Sequence, residues 1–363
     1  MARTNTFRYI DNSNLGWHLE LKEGDAAKDY SEWLWLDGDL DNGGRISLGL
    51  FAQVPEHGED YIPEKFWKGH PERKRWPAVD IHVWTPDGKV FRGVELVAPE
   101  EFQPLPFGAK WGNRNSFVGK IGPDGLATGY DIKLSTNDAE LDVKANAIVN
   151  TGVVFSDEEH GYSYYNPITK RAVGWWPLVP KSEFEGTLKI EGKTTKVKGK
   201  IYCERQLITI PIEKSAQRWW FWGHLSAGEY TAAWTDSAAS PHFNYRHFTP
   251  FVLWKGNVPI LSTFNFACYA EQFAMDPVTG VPYPAVESLR AQNNDIEFTA
   301  QIMNGKVTNR LGWYCRQASD ARIQVKHWGK TEEVSGTSVH EFGADILSRD
   351  KDPWFPVQFP LKK

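Results

Sequence analysis

Short runs in which apolar and polar residues alternate, separated by Gly- and Pro-containing turns, recur along nearly the whole chain. Turn signals stand at Asp41-Asn42-Gly43-Gly44, Pro86-Asp87-Gly88, Pro123-Asp124-Gly125, Glu191-Gly192-Lys193, Lys255-Gly256-Asn257 and Asn304-Gly305-Lys306. Each separates two β-patterned runs, for example Arg45 to Val54, Val79 to Trp84, Leu141 to Val149, Ile296 to Met303 and Val307 to Cys315. Side chains alternate at period two in a strand, so this spacing predicts an all-β, antiparallel sandwich or barrel architecture. Helical periodicity is scarce, and a turn or two around Pro284 to Ala291 is the best helical candidate.

The stretch from Gly199 to Asp236 carries the densest chemistry. Lys198 to Ile210 reads as a strand whose centre is interrupted by Glu204, Arg205 and Gln206, where a plain buried strand would stay apolar. Arg218 to Leu225, the turn Ser226-Ala227-Gly228 and the run Tyr230 to Asp236 then predict a hairpin. In its second arm Tyr230, Ala232, Trp234 and Asp236 share one face. A carboxylate beside an indole on an inward face has its charged form desolvated, which raises its pKa and suits it to acid or base work. The alternative is an Asp capping the turn at Ser237.

A Pro-rich aromatic connection, Asn166 to Pro180, divides the β runs into two groups and predicts domains over 1–170 and 171–363, with Trp175 and Trp176 packing between the halves. The 17 Trp fit either a hydrophobic ligand cavity or an aromatic β core. A net charge of -5 provides no basic footprint for nucleic acid, and the one basic cluster, Lys65 to Arg75, reads as a solvated loop. No apolar run approaches the roughly 18 residues of a membrane span, and the first residues lack the apolar core of a signal peptide. The expectation is a cytoplasmic protein without stable membrane insertion. Cys203, Cys268 and Cys315 have neither zinc spacing nor a disulfide pattern, which predicts three reduced thiols and no metal.

Several segments, in order, resemble the lipocalin-like superfamily of hydroxyneurosporene synthase, the AttH proteins, kievitone hydratase and the fungal decalin-forming Diels-Alderases. Glu32-Trp33-Leu34-Trp35, followed by Gly38, Leu40 and Gly44, is similar to the family's Glu-Trp-Trp-Tyr strand and its turn. Tyr162-Ser163-Tyr164-Tyr165 resembles its Ser-Tyr-Tyr-Tyr signature, 186–199 the hairpin that follows, and 336–343 its closing Glu-x-x-Gly strand. Trp220-Phe221-Trp222-Gly223 and Gly228-Glu229-Tyr230-Thr231 are closer to the kievitone hydratase and Diels-Alderase branch. The resemblance implies two lipocalin-like β domains, no metal or organic cofactor, and a largely apolar pocket between or within them.

Where the hydratases carry an Asp-His-x-Trp block, this chain has Glu204-Arg205-Gln206-Leu207, so Arg205 stands in place of His and Leu207 in place of Trp. The later element persists as Trp234-Thr235-Asp236. Arginine stays protonated near neutral pH and clamps carboxylates or keto oxygens rather than shuttling protons. The resemblance therefore implies a cofactor-free cyclase or isomerase of a hydrophobic polyene, polyketide or isoprenoid intermediate. Its aromatic walls would be Trp35, Trp175, Trp176, Trp220, Trp222 and Trp234, and its polar anchors Glu32, Asn113, Tyr165, Arg205 and Asp236. The alternatives are a hydro-lyase, in which Asp236 protonates an alkene and Glu204 activates water, and a lipocalin-like carrier.

Overall fold

Strand alternation dominates the structure as it dominates the sequence. A computed structural model describes residues 8–10, 15–55, 62–155, 161–210, 219–239, 247–280, 282–311 and 314–343. Among the described residues every strand pairing is antiparallel, and the helical elements that lie wholly within them are 3-10 turns of three to five residues. None is long and apolar enough to cross a membrane.

Thr6–Pro211 and Ile212–Lys363 form two compact units. The first is built on a twelve-stranded sheet whose centre runs Arg45–Gln53, Ser31–Leu40, Lys193–Ile208, Arg171–Ile190 and Ala139–Val149. The second has a ten-stranded sheet whose centre runs Tyr230–Ala238, Trp219–Ala227, Lys330–Gly343, Tyr314–His327 and Ile296–Leu311. Each sheet wraps its own apolar core. Together they are two lipocalin-like β units.

Three expectations change. The boundary between the units falls at Pro211/Ile212 and not at 170/171. Residues 171–180 open the twenty-residue strand Arg171–Ile190, which pairs with both of its neighbours inside the first unit. Register shifts between Pro177 and Ser182 absorb the prolines, whose missing N–H groups would otherwise interrupt the ladder. Pro284 to Ala291 is strand, within Pro282–Gln292, because Glu287, Leu289 and Ala291 alternate inward. Asn304-Gly305 is a bulge inside one strand, with Asn304 at φ 59°, and Cys315 belongs to the next strand.

The first sheet is buried on both faces along Ser31–Leu40. One face carries Leu34 and Leu36 into the main core; the other carries Trp33 and Trp35 into a smaller cluster with Phe51 and Ala78, against which Phe66 and Trp67 pack. The Lys65 to Arg75 segment is thus more than a solvated loop: Arg75 donates to the Tyr30 carbonyl at 2.6 Å. All three cysteines are free and buried.

Candidate functional site

Lys193–Ile208 lies between Ser31–Leu40 and Arg171–Ile190, and its register pairs Arg205 with Leu34 and Glu204 with Trp35. Adjacent strand residues point to opposite faces. Glu204 and Arg205 therefore belong to two separate clusters, one on each side of the sheet.

On the core side Arg205 donates to the carbonyl oxygens of Leu15 and Gly16, lies with its guanidinium 5.5 Å from the Trp17 ring, and sits 3.8 Å from Glu32 Oε1. Glu32 accepts hydrogen bonds from the His18 backbone N–H (2.9 Å), His18 Nδ1 (2.8 Å) and the Tyr30 hydroxyl (2.6 Å). Glu32 and Arg205 are both 0% exposed. His18 stacks on Trp176 at 5.1 Å and touches Tyr162, which in turn stacks on Tyr165 at 5.2 Å. Burial alone would raise the Glu32 pKa, but His18, Arg205 and Tyr30 together hold it below the usual glutamate value. Burial and the neighbouring Glu32 push the Tyr30 hydroxyl well above its ordinary range.

Four anticipated residues, Glu32, Tyr165, Trp176 and Arg205, thus converge, and they do so around a histidine that sequence reasoning passed over. Tyr30 was findable, since it lies two residues before Glu32 on the same face. His18 was not, because it sits in 3-10 and irregular chain with no periodicity to place it.

On the other face Glu204 accepts three hydrogen bonds: from Trp175 Nε1 (2.6 Å), the Tyr202 hydroxyl (2.7 Å) and Gln206 Nε2 (2.6 Å). Phe155 stacks on Trp175 at 5.0 Å with the rings 7° from parallel. Continuing along the same ladder row, Glu204 faces Trp35, Trp35 faces Gly49, and Gly49 faces Asp80. A side chain on Gly49 would meet the Phe51 ring at 2.7 Å and the Trp35 ring at 3.1 Å, so glycine lets the indole lie across the strand. Trp35 Nε1 donates to Asp37 at 2.8 Å.

Asp80 comes next in this row, paired with Arg92 at 2.7 Å and His82 at 3.1 Å. Burial raises its pKa, but His82 and Arg92 outweigh it and bring the carboxyl down from 3.8 to about 2. A depressed native pKa contributes stability above the unfolded value that is lost as pH falls through the native one. Acidification from about pH 4 to pH 2 is expected to remove about 2 kcal/mol through this group. Urea titrations should show Asp80→Asn lacking that component, and an identical acid dependence in the variant would refute it.

In the second unit Trp219–Ala227 and Tyr230–Ala238 form the anticipated hairpin; Arg218 lies outside the described residues. Trp234 is buried in the unit's core, and a side chain on its partner Gly223 would collide with the indole. Asp236, on the same face, accepts from the Cys268 backbone N–H at 3.4 Å, and its other oxygen lies 3.4 Å from His247 Nδ1. Burial raises its pKa above the usual aspartate value against the partly offsetting effects of Cys268 and His247.

Trp220 and Trp222 face the opposite side of that sheet. There Glu341 accepts from Arg316 Nε (2.7 Å), the Tyr314 hydroxyl (2.7 Å) and Trp220 Nε1 (3.4 Å), with the Arg316 guanidinium 5.6 Å from the Trp222 ring. Asn113 is exposed in the turn between Gly108–Trp111 and Asn115–Ile121, and no described hydrogen bond ties it to any of these clusters.

No protein-family model matches the chain, and no curated protein matches it in sequence. Solved structures do match. CghA with Sch210972 superposes at a TM-score of 0.63 with 13% identity over 94% of both chains. A putative AttH from Nitrosomonas europaea gives 0.58 with 11% identity over 94% of this chain and 98% of that one. Kievitone hydratase from Nectria haematococca gives 0.53 with 11% identity over 94% and 96%. Identities this low speak for the fold, and the chain has the two-unit lipocalin-like fold of the superfamily that its motifs resemble.

Proposed function

We propose that this chain is a cofactor-independent cyclase or isomerase that folds a hydrophobic polyene, polyketide or isoprenoid intermediate of secondary metabolism against rigid aromatic walls. The observation that carries this reading is Glu204, whose carboxylate is engaged by Trp175, Tyr202 and Gln206. A carboxylate used in this way orients rings; it is not poised to activate water. Glu341 does the same for Trp220 and Tyr314. The wall of the first unit is then Trp35 and Trp175, Trp220 and Trp222 line the corresponding face of the second unit's own sheet, and Trp176 and Trp234 serve the two cores. Holding a flexible substrate in a near-attack shape is a sufficient source of rate, because effective molarities of about 10⁵–10⁸ M are attainable by positioning alone. Arg205 and Glu32 support the first unit from within.

The raised Asp236 pKa favours a second reading, a hydro-lyase in which this carboxyl protonates an alkene. Turnover of candidate polyenes in heavy-oxygen water separates the two. Cyclisation gives an unlabelled product isomeric with substrate, and hydration gives a labelled alcohol. Asp236→Asn sharpens the result: an amide still donates a hydrogen bond to a carbonyl but cannot deliver a proton. Cyclisation should survive within about tenfold, whereas loss of a general acid costs about 10²–10⁴-fold.

A further inference from the structure

The core of the second unit holds a polar array that the proposed reaction does not use. Ser319 lies on Tyr314–His327, His340 on Lys330–Gly343 and Glu287 on Pro282–Gln292. The Ser319 hydroxyl oxygen is 2.7 Å from His340 Nε2, and His340 Nδ1 is 2.9 Å from Glu287 Oε1. The second Glu287 oxygen lies 3.6 Å from the Cys268 thiol, which burial, Glu287 and Asp236 keep well above its ordinary pKa. Cys268 is therefore a neutral donor and not a competing nucleophile. With Glu287 as the acceptor, the tautomer of His340 with its proton on Nδ1 turns the Nε2 lone pair toward the Ser319 O–H.

We propose that Ser319, His340 and Glu287 form a nucleophile, base and positioning residue for hydrolysis of carboxylic esters with apolar acyl chains. The distances meet the requirement for such a set, with the hydroxyl in hydrogen-bond reach of the base and the base oriented by a third group. Exposure falls in the matching order, from 6% at Ser319 to 2% at His340 and 1% at Glu287. The bulge on the neighbouring strand passes close to the hydroxyl, where only glycine fits. A side chain on Gly305 would come within 2.9 Å of Ser319 Oγ and would strike Gln317 Oε1. Gln317 is fully buried; its Nε2 donates to the Pro284 carbonyl, and its Oε1 has no hydrogen-bond partner among the described residues. That acceptor and the Ser319 hydroxyl both lie against Gly305, which places it to receive an O–H of the attacking water.

The acyl preference follows from Phe342 and Leu289, the next inward residues beyond His340 and Glu287, both part of the apolar core.

In the reaction the Ser319 oxygen bonds to the ester carbonyl carbon while its proton passes to His340 Nε2. The ester C–O bond then breaks, and the alcohol leaves with that proton. Water, deprotonated by the same nitrogen, attacks the acyl-serine, releasing the acid and restoring the Ser319 hydroxyl.

The full-length protein should be treated with a fluorophosphonate probe, which bonds to an activated serine oxygen with loss of fluoride, and assayed on p-nitrophenyl esters of two to twelve carbons. The expected result is one adduct, mapped to Ser319, with ester turnover that rises with acyl length and disappears in Ser319→Ala. His340→Gln should slow labelling at least a hundredfold. Glu287→Gln should slow it at least tenfold, and Glu287→Asp, which keeps the carboxylate, should restore part of the rate. Circular dichroism and melting confirm that each variant is folded. Absence of a Ser319 adduct in wild type, under conditions that label a reference serine esterase completely, overturns the proposal. So does ester turnover that survives Ser319→Ala, or labelling that His340→Gln leaves unchanged.

Discussion

Arg205→Leu is expected to cost the first unit about 3–5 kcal/mol of stability, the usual penalty for stranding the partner of a buried ion pair. The substitution leaves Glu32 charged and fully buried with His18 and Tyr30 as its remaining partners, and it deprives the Leu15 and Gly16 carbonyls of their donors. Leucine restores some packing but none of these hydrogen bonds. The measurement is the urea midpoint of the full chain by tryptophan fluorescence. Adding Glu32→Gln in the same chain should recover part of the loss, because it removes the stranded charge. A single variant that unfolds at the wild-type midpoint would show that Arg205 is not a structural anchor and would reopen its reading as a substrate clamp.

Turnover should fall about a hundredfold in Glu204→Leu. The change removes the shared acceptor of Trp175, Tyr202 and Gln206, and each buried donor left unpaired costs about 1–3 kcal/mol, so the rings turn to find other partners. Displacing a positioning group by about 1 Å is enough for a hundredfold loss when catalysis rests on substrate shape. Glu204→Gln, which keeps one acceptor oxygen, should fall between the variant and wild type. Rates are to be compared at a temperature where melting curves show both variants folded. Turnover within twofold of wild type in folded Glu204→Leu would remove the aromatic-wall reading.

Strand existence was legible because alternation and turn chemistry are local. Arg45–Gln53, Ala78–Trp84 and the Trp219 hairpin fall where the pattern put them. The failures are failures of locality too. Asn304-Gly305 looks like a hairpin turn, but the strand continues past it because Tyr314–His327 supplies ladder partners on both sides of the bulge. Pro177 and Pro180 look like a linker because nothing in the sequence reveals that their strand shifts register around them. At the candidate site, period two was enough to put Trp234 and Asp236 together, and the same rule separates Glu204 from Arg205. The meeting of Arg205 with the chain at Leu15 and Gly16 was beyond reach, since sequence distance carries no information about it.

That separation of Glu204 from Arg205 has a consequence for engineering. Residues 201, 203, 205 and 207 answer to the interior of one unit, while 202, 204 and 206 answer to the aromatic side of the same sheet. On the proposed reading, a library randomised at 202 and 206 with Glu204 kept would vary the aromatic side with the interior left as it is. One that includes 205 would be populated mostly by chains that do not fold. Parity along one strand divides what selection can vary from what it must keep.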